Sequence, residues 1–106
     1  MKYHNEIIDG LFLGSSFNAY NIKDLYQKNI TIVLNITHEI DNFHENNPLF
    51  TYYKFPIHDN NEDDISEILE KSFNIIDEHL INGNKILVHC YMGASRSASI
   101  IIYYLM

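Results

Sequence analysis

The residue types suited to nucleophilic chemistry on an anion are concentrated in one stretch, which runs from His89 to Ser97 and reads His-Cys-Tyr-Met-Gly-Ala-Ser-Arg-Ser. A largely apolar segment, 85–89, precedes it and predicts a buried strand, and the apolar segment 97–106 predicts a helix after it. A turn that leaves a strand and enters a helix directs successive backbone N–H groups inward, and the helix dipole adds to their attraction for an anion. The sequence therefore predicts an anion-binding loop with Cys90 at its base.

The side chains of this anion loop (residues 90–96) fit the same chemistry. Gly93 and Ala94 keep bulk out of the loop, and the planar guanidinium of Arg96 can donate to two phosphate oxygens at once. A cysteine that faces such donors ionises easily, its pKa moving from about 8.5 toward a range of about 3.5 to 7.5. The Cys90 thiolate can then attack phosphorus in line and form a covalent thiophosphate. The alternative is a buried cysteine that acts as a small hydrophobic residue, but it does not account for the glycine and arginine beside it.

The stretch resembles the signature of the dual-specificity protein phosphatases, which is His-Cys, five residues, then Arg and Ser or Thr. The resemblance extends to residues 8–19, 32–35 and 55–59, so it covers essentially the whole chain. It implies that Asp59 is the general acid that protonates the leaving oxygen and then activates water. It also implies that Ser97 helps the thiolate leave, that His89 orients the cysteine from behind the loop, and that the reaction needs no metal or other cofactor. The phosphate-binding residues that it implies are Tyr91, Met92, Gly93, Ala94, Ser95 and Arg96.

The general acid has alternatives close to it in the sequence, because three further carboxylates follow Asp59: Glu62, Asp63 and Asp64. The spacing of the family pattern favours Asp59. The three later carboxylates are better explained as the first turn and the cap of the next helix, where negative charge is favourable.

The fold that these patterns predict is α/β, with a central, mostly parallel sheet flanked by helices. The predicted strands are two short segments within 7–14, broken at Asp9-Gly10, and the segments 30–36, 51–55 and 85–89. The predicted helices are 18–28, capped by Ser16 or Asn18 and stopped by Asn29, then a long helix from a capping box of Asp64 and Glu67 to Gly83, and 97–106. The resemblance implies a phosphatase-type domain over residues 1–106, truncated before the C-terminal helices that the family usually has.

Composition limits the possible partners and location. The net charge of −7 argues against a sequence-independent nucleic-acid binder, which needs clustered lysine and arginine. A single cysteine fits a reducing compartment, and no apolar run reaches the length of about 18 residues that a membrane span needs. We therefore expect no membrane partner and a cytoplasmic location, with the nucleus as an alternative.

The predicted function is a protein phosphatase that acts on phosphotyrosine and on phosphoserine or phosphothreonine. A phosphoinositide or RNA 5′-phosphatase would need more basic side chains in the loop than this sequence has, and a strictly tyrosine-specific enzyme is similar in its loop but much longer. The remaining alternative is an inactive or truncated phosphatase-like domain that binds phosphoproteins. The apolar end of the chain, 101–106, predicts self-association. The physiological substrate, the pathway and the relative preference for tyrosine are not readable from the sequence.

Overall fold

The computed structural model describes residues 4–57, 65–92 and 95–106, and five strands form one sheet within them. The strands are β1 (His4–Ile8), β2 (Leu11–Gly14), β3 (Ile30–Asn35), β4 (Thr51–Lys54) and β5 (Lys85–His89). Their order across the sheet is β1-β2-β5-β3-β4, with β1 antiparallel to β2 and every other neighbouring pair parallel. The predicted sheet is confirmed, and so is the turn after β1. Gly10 in this turn has a φ of +89°, which residues other than glycine rarely adopt.

The first predicted helix is two short helices, α1 (Ser16–Tyr20) and α2 (Ile22–Gln27). The prediction of one helix was wrong because the chain is extended at Asn21, whose side chain caps α2 by accepting from the backbone N–H of Asp24. The predicted cap was also wrong, since Ser15 caps α1 by a capping box with Asn18. The left-handed residue after α2 is Asn29, with a φ of 59°, as predicted.

The two longer helices are α3 (Ser66–Ile81) and α4 (Ser95–Leu105). Ile65, and not Asp64, is the N-cap of α3, and it makes no side-chain cap hydrogen bond. Asp64 itself lies outside the described residues. Helix α4 begins two residues before the predicted start, so that Arg96 lies in its first turn instead of in the loop before it. None of the helices in the described parts of the chain is long and apolar enough to cross a membrane.

The central strands of the sheet are buried on both faces, and successive side chains of each strand point to opposite faces. Alternate residues of β5 show this: Ile86 and Val88 belong to one apolar cluster, and Leu87 belongs to the other. The first cluster includes Ile76 of α3 and Ile100 of α4, whereas the second includes residues of α1 and α2. Helices therefore cover each face, and β5 pairs in parallel with β2 on one side and with β3 on the other.

Parallel pairing places the carboxyl ends of β2, β5, β3 and β4 at one edge of the sheet. Hydrogen bonds join the segments that leave this edge. The N–H of Ser16 donates to the carbonyl of Tyr91 (3.0 Å), and the N–H of Ile36 donates to the carbonyl of His89 (2.9 Å). The N–H of Phe55 donates to the carbonyl of Asn35 (2.8 Å). The anion loop therefore starts beside the segments that follow β2 and β3, and the segment after β4 is bonded to the end of β3.

Candidate active site

Cys90 follows directly after β5 and is 2% exposed. Its Sγ lies 3.1 Å from the hydroxyl oxygen of Ser97, which is fully buried in the first turn of α4. A hydroxyl at this distance can donate to a thiolate, and a hydrogen bond to a charged acceptor is stronger than one between neutral groups. The geometry therefore brings together the two predicted residues that would carry and stabilise a negative sulfur.

Arg96 is 7% exposed, and the structure shows where its guanidinium points. Nη1 donates to Glu39 Oε1 (2.9 Å) and to the carbonyl oxygen of Ile57 (3.0 Å), and Nη2 donates to Glu39 Oε2 (2.9 Å). Two parallel bonds to one carboxylate are the bidentate geometry that arginine favours. Arg96 thus joins the start of α4 to the segments that follow β3 and β4.

Glu39 is a functional candidate that the sequence reasoning missed. Its hydrogen bonds with Arg96 lower its pKa from 4.5 to about 2, with a smaller Coulombic effect of the same arginine. The neighbouring His38 places its Nδ1 3.4 Å from Glu39 Oε1. The one available signal was position: Glu39 comes four residues after a strand whose carboxyl end faces the anion loop, where ligand-binding residues collect in α/β sheets.

The segment that carries Glu39 is fixed by buried polar groups at the end of β3. The Asn35 side chain donates to the carbonyl of Ile40 (2.7 Å), and the Thr37 hydroxyl donates to Asn35 Oδ1 (2.7 Å). The Thr37 hydroxyl oxygen also accepts from the N–H of Ile40 (3.1 Å), and Lys54 Nζ donates to the Ile40 carbonyl (2.7 Å). Both Asn35 and Thr37 are fully buried. These bonds hold the backbone immediately after Glu39.

His89 lies behind the anion loop with 1% of its surface exposed. Its Nδ1 is 3.2 Å from the carbonyl oxygen of Cys90, so the tautomer with a proton on Nδ1 can donate to it. Burial lowers the pKa of His89 to about 4, against the smaller opposing effect of this hydrogen bond. The imidazole is therefore neutral near pH 7 and contacts the backbone of the cysteine that it was predicted to orient.

Two of the other predicted site residues are exposed at the surface, and most of the rest lie outside the described residues. Tyr91 and Met92 are 52% and 71% exposed, so their side chains lie at the surface beside the buried sulfur. Gly93, Ala94 and the predicted acid Asp59 fall outside the described residues, and Ser95 is described only as the first residue of α4. The roles predicted for these residues stay predictions.

Comparison with known proteins places the chain in one family. The model of the family "dual specificity phosphatase, catalytic domain" matches residues 11–106. Protein phosphatase Slingshot homolog 2 of Homo sapiens is 39% identical over 106 residues, which are 100% of this chain and 7% of that protein. Dual specificity protein phosphatase 9 of Homo sapiens is 36% identical over 101 residues, covering 95% of this chain and 26% of that protein.

The crystal structure of DUSP15 has a similar fold, with a TM-score of 0.92 and 27% sequence identity over 100% of this chain and 66% of that chain. The sequence relatives are much longer than this chain. The matched residues span 7% of Slingshot homolog 2 and 26% of dual specificity protein phosphatase 9. What these comparisons cover is therefore the catalytic domain and not the rest of each relative.

Proposed function

This chain belongs to the dual specificity phosphatase family, and from that premise we propose that it hydrolyses phosphate esters of proteins through a phosphocysteine intermediate. The observation that carries the proposal is the distance of 3.1 Å between Cys90 Sγ and the Ser97 hydroxyl at the start of α4. In the same turn, the guanidinium of Arg96 is held by Glu39 and Ile57. A nucleophile, a donor to it and a cation for the phosphate therefore belong to one short segment.

In the first step the Cys90 thiolate attacks phosphorus, an S–P bond forms and the P–O bond to the substrate oxygen breaks. The leaving oxygen takes a proton from a general acid, which we propose to be Asp59. Arg96 offsets the negative charge of the phosphoryl oxygens, and this electrostatic effect is often the largest contribution to such reactions. Dividing one displacement into two lowers the barrier of each.

In the second step water attacks the phosphocysteine, giving its proton to the carboxylate that acted as the acid. The S–P bond breaks, inorganic phosphate leaves and the thiolate returns. The Ser97 hydroxyl donates to the sulfur as negative charge develops on it. The cycle balances without an oxidant or a reductant.

The proposed substrates are proteins that carry phosphotyrosine and phosphoserine or phosphothreonine. Beside the buried sulfur, the side chains of Tyr91 and Met92 are exposed and carry no charge. Such a mouth suits a phosphorylated side chain on a protein surface better than a ligand with several phosphates, which would need further cations. We also propose a cytoplasmic location, which microscopy of a tagged chain would test against a nuclear one.

Phosphate release from three matched peptides, each with phosphotyrosine, phosphoserine or phosphothreonine at one position, tests the activity. We expect turnover of all three and none by the Cys90→Ser variant. Rapid quenching of the wild-type reaction, followed by intact-mass measurement, should show one phosphoryl group on Cys90. Binding of the peptides by the wild type without phosphate release would replace the proposal by its alternative, a phosphatase-like domain that binds phosphoproteins.

A further inference from the structure

We propose that Glu39 is a positioning residue that fixes the orientation of the Arg96 guanidinium for phosphate binding. The inference rests on the proposed function, because it assigns to Arg96 the phosphate contact of that reaction. Glu39 does not touch the substrate in this scheme and acts through the arginine. Its place is the carboxyl end of β3, 57 residues before Arg96 in the sequence.

The geometry of the pair fixes the plane of the guanidinium. Both carboxylate oxygens of Glu39 accept at 2.9 Å, one from Nη1 and one from Nη2. The carbonyl oxygen of Ile57 accepts a third bond, from Nη1, at 3.0 Å. Three acceptors in fixed positions leave the guanidinium little freedom to rotate, and a pre-oriented donor loses less entropy when a ligand binds.

Glu39 accepts from Nη1 and Nη2, so a phosphate at the other edge of the guanidinium would not compete with it for position. A guanidinium has an end edge, made by Nη1 and Nη2, and a side edge that includes Nε. Glu39 uses the end edge, so a phosphate that accepted from the side edge would leave the pair intact. Glu39 is thus placed to orient Arg96 and not to replace its ligand.

The backbone that presents Glu39 is itself fixed, which a positioning role needs. Ile40, the next residue, is held by three partners: Asn35 at 2.7 Å, Thr37 at 3.1 Å and Lys54 at 2.7 Å. The Glu39 carboxylate is more exposed than the arginine, with 37% of the side chain accessible against 6%. A buried cation needs a partner, so Glu39 also offsets the cost of burying Arg96.

The test is a double-mutant cycle of Glu39→Gln and Arg96→Lys, read by calorimetric binding of tungstate, an inert oxyanion of phosphate shape. Glutamine keeps one acceptor oxygen but loses the charge and the second parallel bond. We expect Glu39→Gln to weaken tungstate binding about 10-fold in the wild-type background, since small misplacements of a binding group cost up to about 100-fold. In the Arg96→Lys background the same change should cost less than about 3-fold, because the group that Glu39 orients is gone.

Glu45→Gln is the matched control, because Glu45 is exposed on the same segment and loses the same charge. It should bind tungstate as the wild type does. If Glu39→Gln proves poorly folded by thermal unfolding, Glu39→Asp serves in its place. Aspartate keeps the counter-charge for Arg96 but is too short for the bidentate geometry, so binding should still weaken.

Three outcomes would overturn the inference. Equal losses in the two backgrounds would show that Glu39 acts independently of Arg96, and tighter binding by Glu39→Gln would make Glu39 a competitor of the oxyanion. Failure of the unaltered chain to bind tungstate would remove the site on which the inference depends. Because binding is measured without turnover, a chain that binds tungstate but releases no phosphate from peptides would count against the proposed function alone.

Discussion

Replacing Ser97 by alanine removes the hydroxyl that lies 3.1 Å from Cys90 Sγ, and we expect the loss to fall on the breakdown of the phosphocysteine. Ser97 is fully buried and Cys90 is 2% exposed, so water has little access to replace the missing donor. A hydrogen bond to a charged group is worth about 1.5 to 3 kcal/mol. At about 1.4 kcal/mol for each factor of ten, the second step should slow by about 10- to 150-fold.

The first step should change much less. Without the hydroxyl fewer molecules carry the thiolate, but each thiolate is a stronger nucleophile, and the two effects oppose each other. With an aryl phosphate, whose leaving group needs little protonation, the Ser97→Ala variant should therefore release about one equivalent of phenol rapidly and then turn over slowly. Stopped-flow absorbance measures the burst, and intact mass measures the phosphocysteine that accumulates.

Two variants separate this effect from the simple loss of a buried hydroxyl. Ser72→Ala removes an equally buried serine of α3, which donates to the carbonyl of Leu69 (2.9 Å), and should lower stability without producing a burst. Ser97→Thr keeps a hydroxyl and should restore turnover if the added methyl group is accommodated. Unchanged turnover by Ser97→Ala, or a slow first step with no burst, would refute the assignment of Ser97 to the departing thiolate.

Four further predictions concern the same chain. Burial lowers the pKa of His89 from 6.5 to about 4, so between these pH values the unfolded chain binds a proton that the folded chain does not. As the pH is lowered from about 6.5 to 4, the free energy of unfolding should fall by up to about 3 kcal/mol, and urea titrations of His89→Gln should lack that part of the fall. Asp59→Asn should slow alkyl phosphates about 100- to 10,000-fold and aryl esters with good leaving groups far less; a small, uniform loss would move the acid to Glu62 or Asp63. Mild peroxide should inactivate the enzyme by oxidising Cys90, reversibly at first, with phosphate as a protectant; full activity of the oxidised protein would exclude Cys90 as the nucleophile. Ile102, Tyr103 and Leu105 are exposed on α4, and Met106 is exposed after it, so we expect association that rises with concentration. A monomeric mass by light scattering at all concentrations would contradict this.

Much of the fold could be predicted because its strands carry their own signal. The segments of β3 and β5 are apolar without alternation, which is typical of strands buried on both faces. The two helices near the start of the chain were merged because Ala19, Ile22 and Leu25 recur at helical spacing across the break. Periodicity does not register a single extended residue, and the capping role of Asn21 was the local signal that would have divided them.

The start of α4 was placed too late for a related reason. The sequence prediction took Arg96 as a loop residue because the apolar helical pattern becomes clear only after Ser97. In the structure Ser95 and Arg96 already belong to the first turn of α4. Helix ends are set by which backbone groups find partners, and side-chain patterns report this poorly.

The pair of Glu39 and Arg96 shows what lies beyond local patterns. No local pattern marks Glu39, since the segment 37–49 is mostly polar and one carboxylate among several has no special spacing. The pair exists because β3 lies next to β5 in the sheet, so that the segments after both strands leave the same edge. That order, β1-β2-β5-β3-β4, follows from the packing of the whole chain and places the fifth strand between the second and the third. Once the strand order is known, the buried arginine after β5 needs an anionic partner, and the neighbouring segment after β3 is where that partner can lie. The candidates for it are then only the three carboxylates of that segment, Glu39, Asp41 and Glu45.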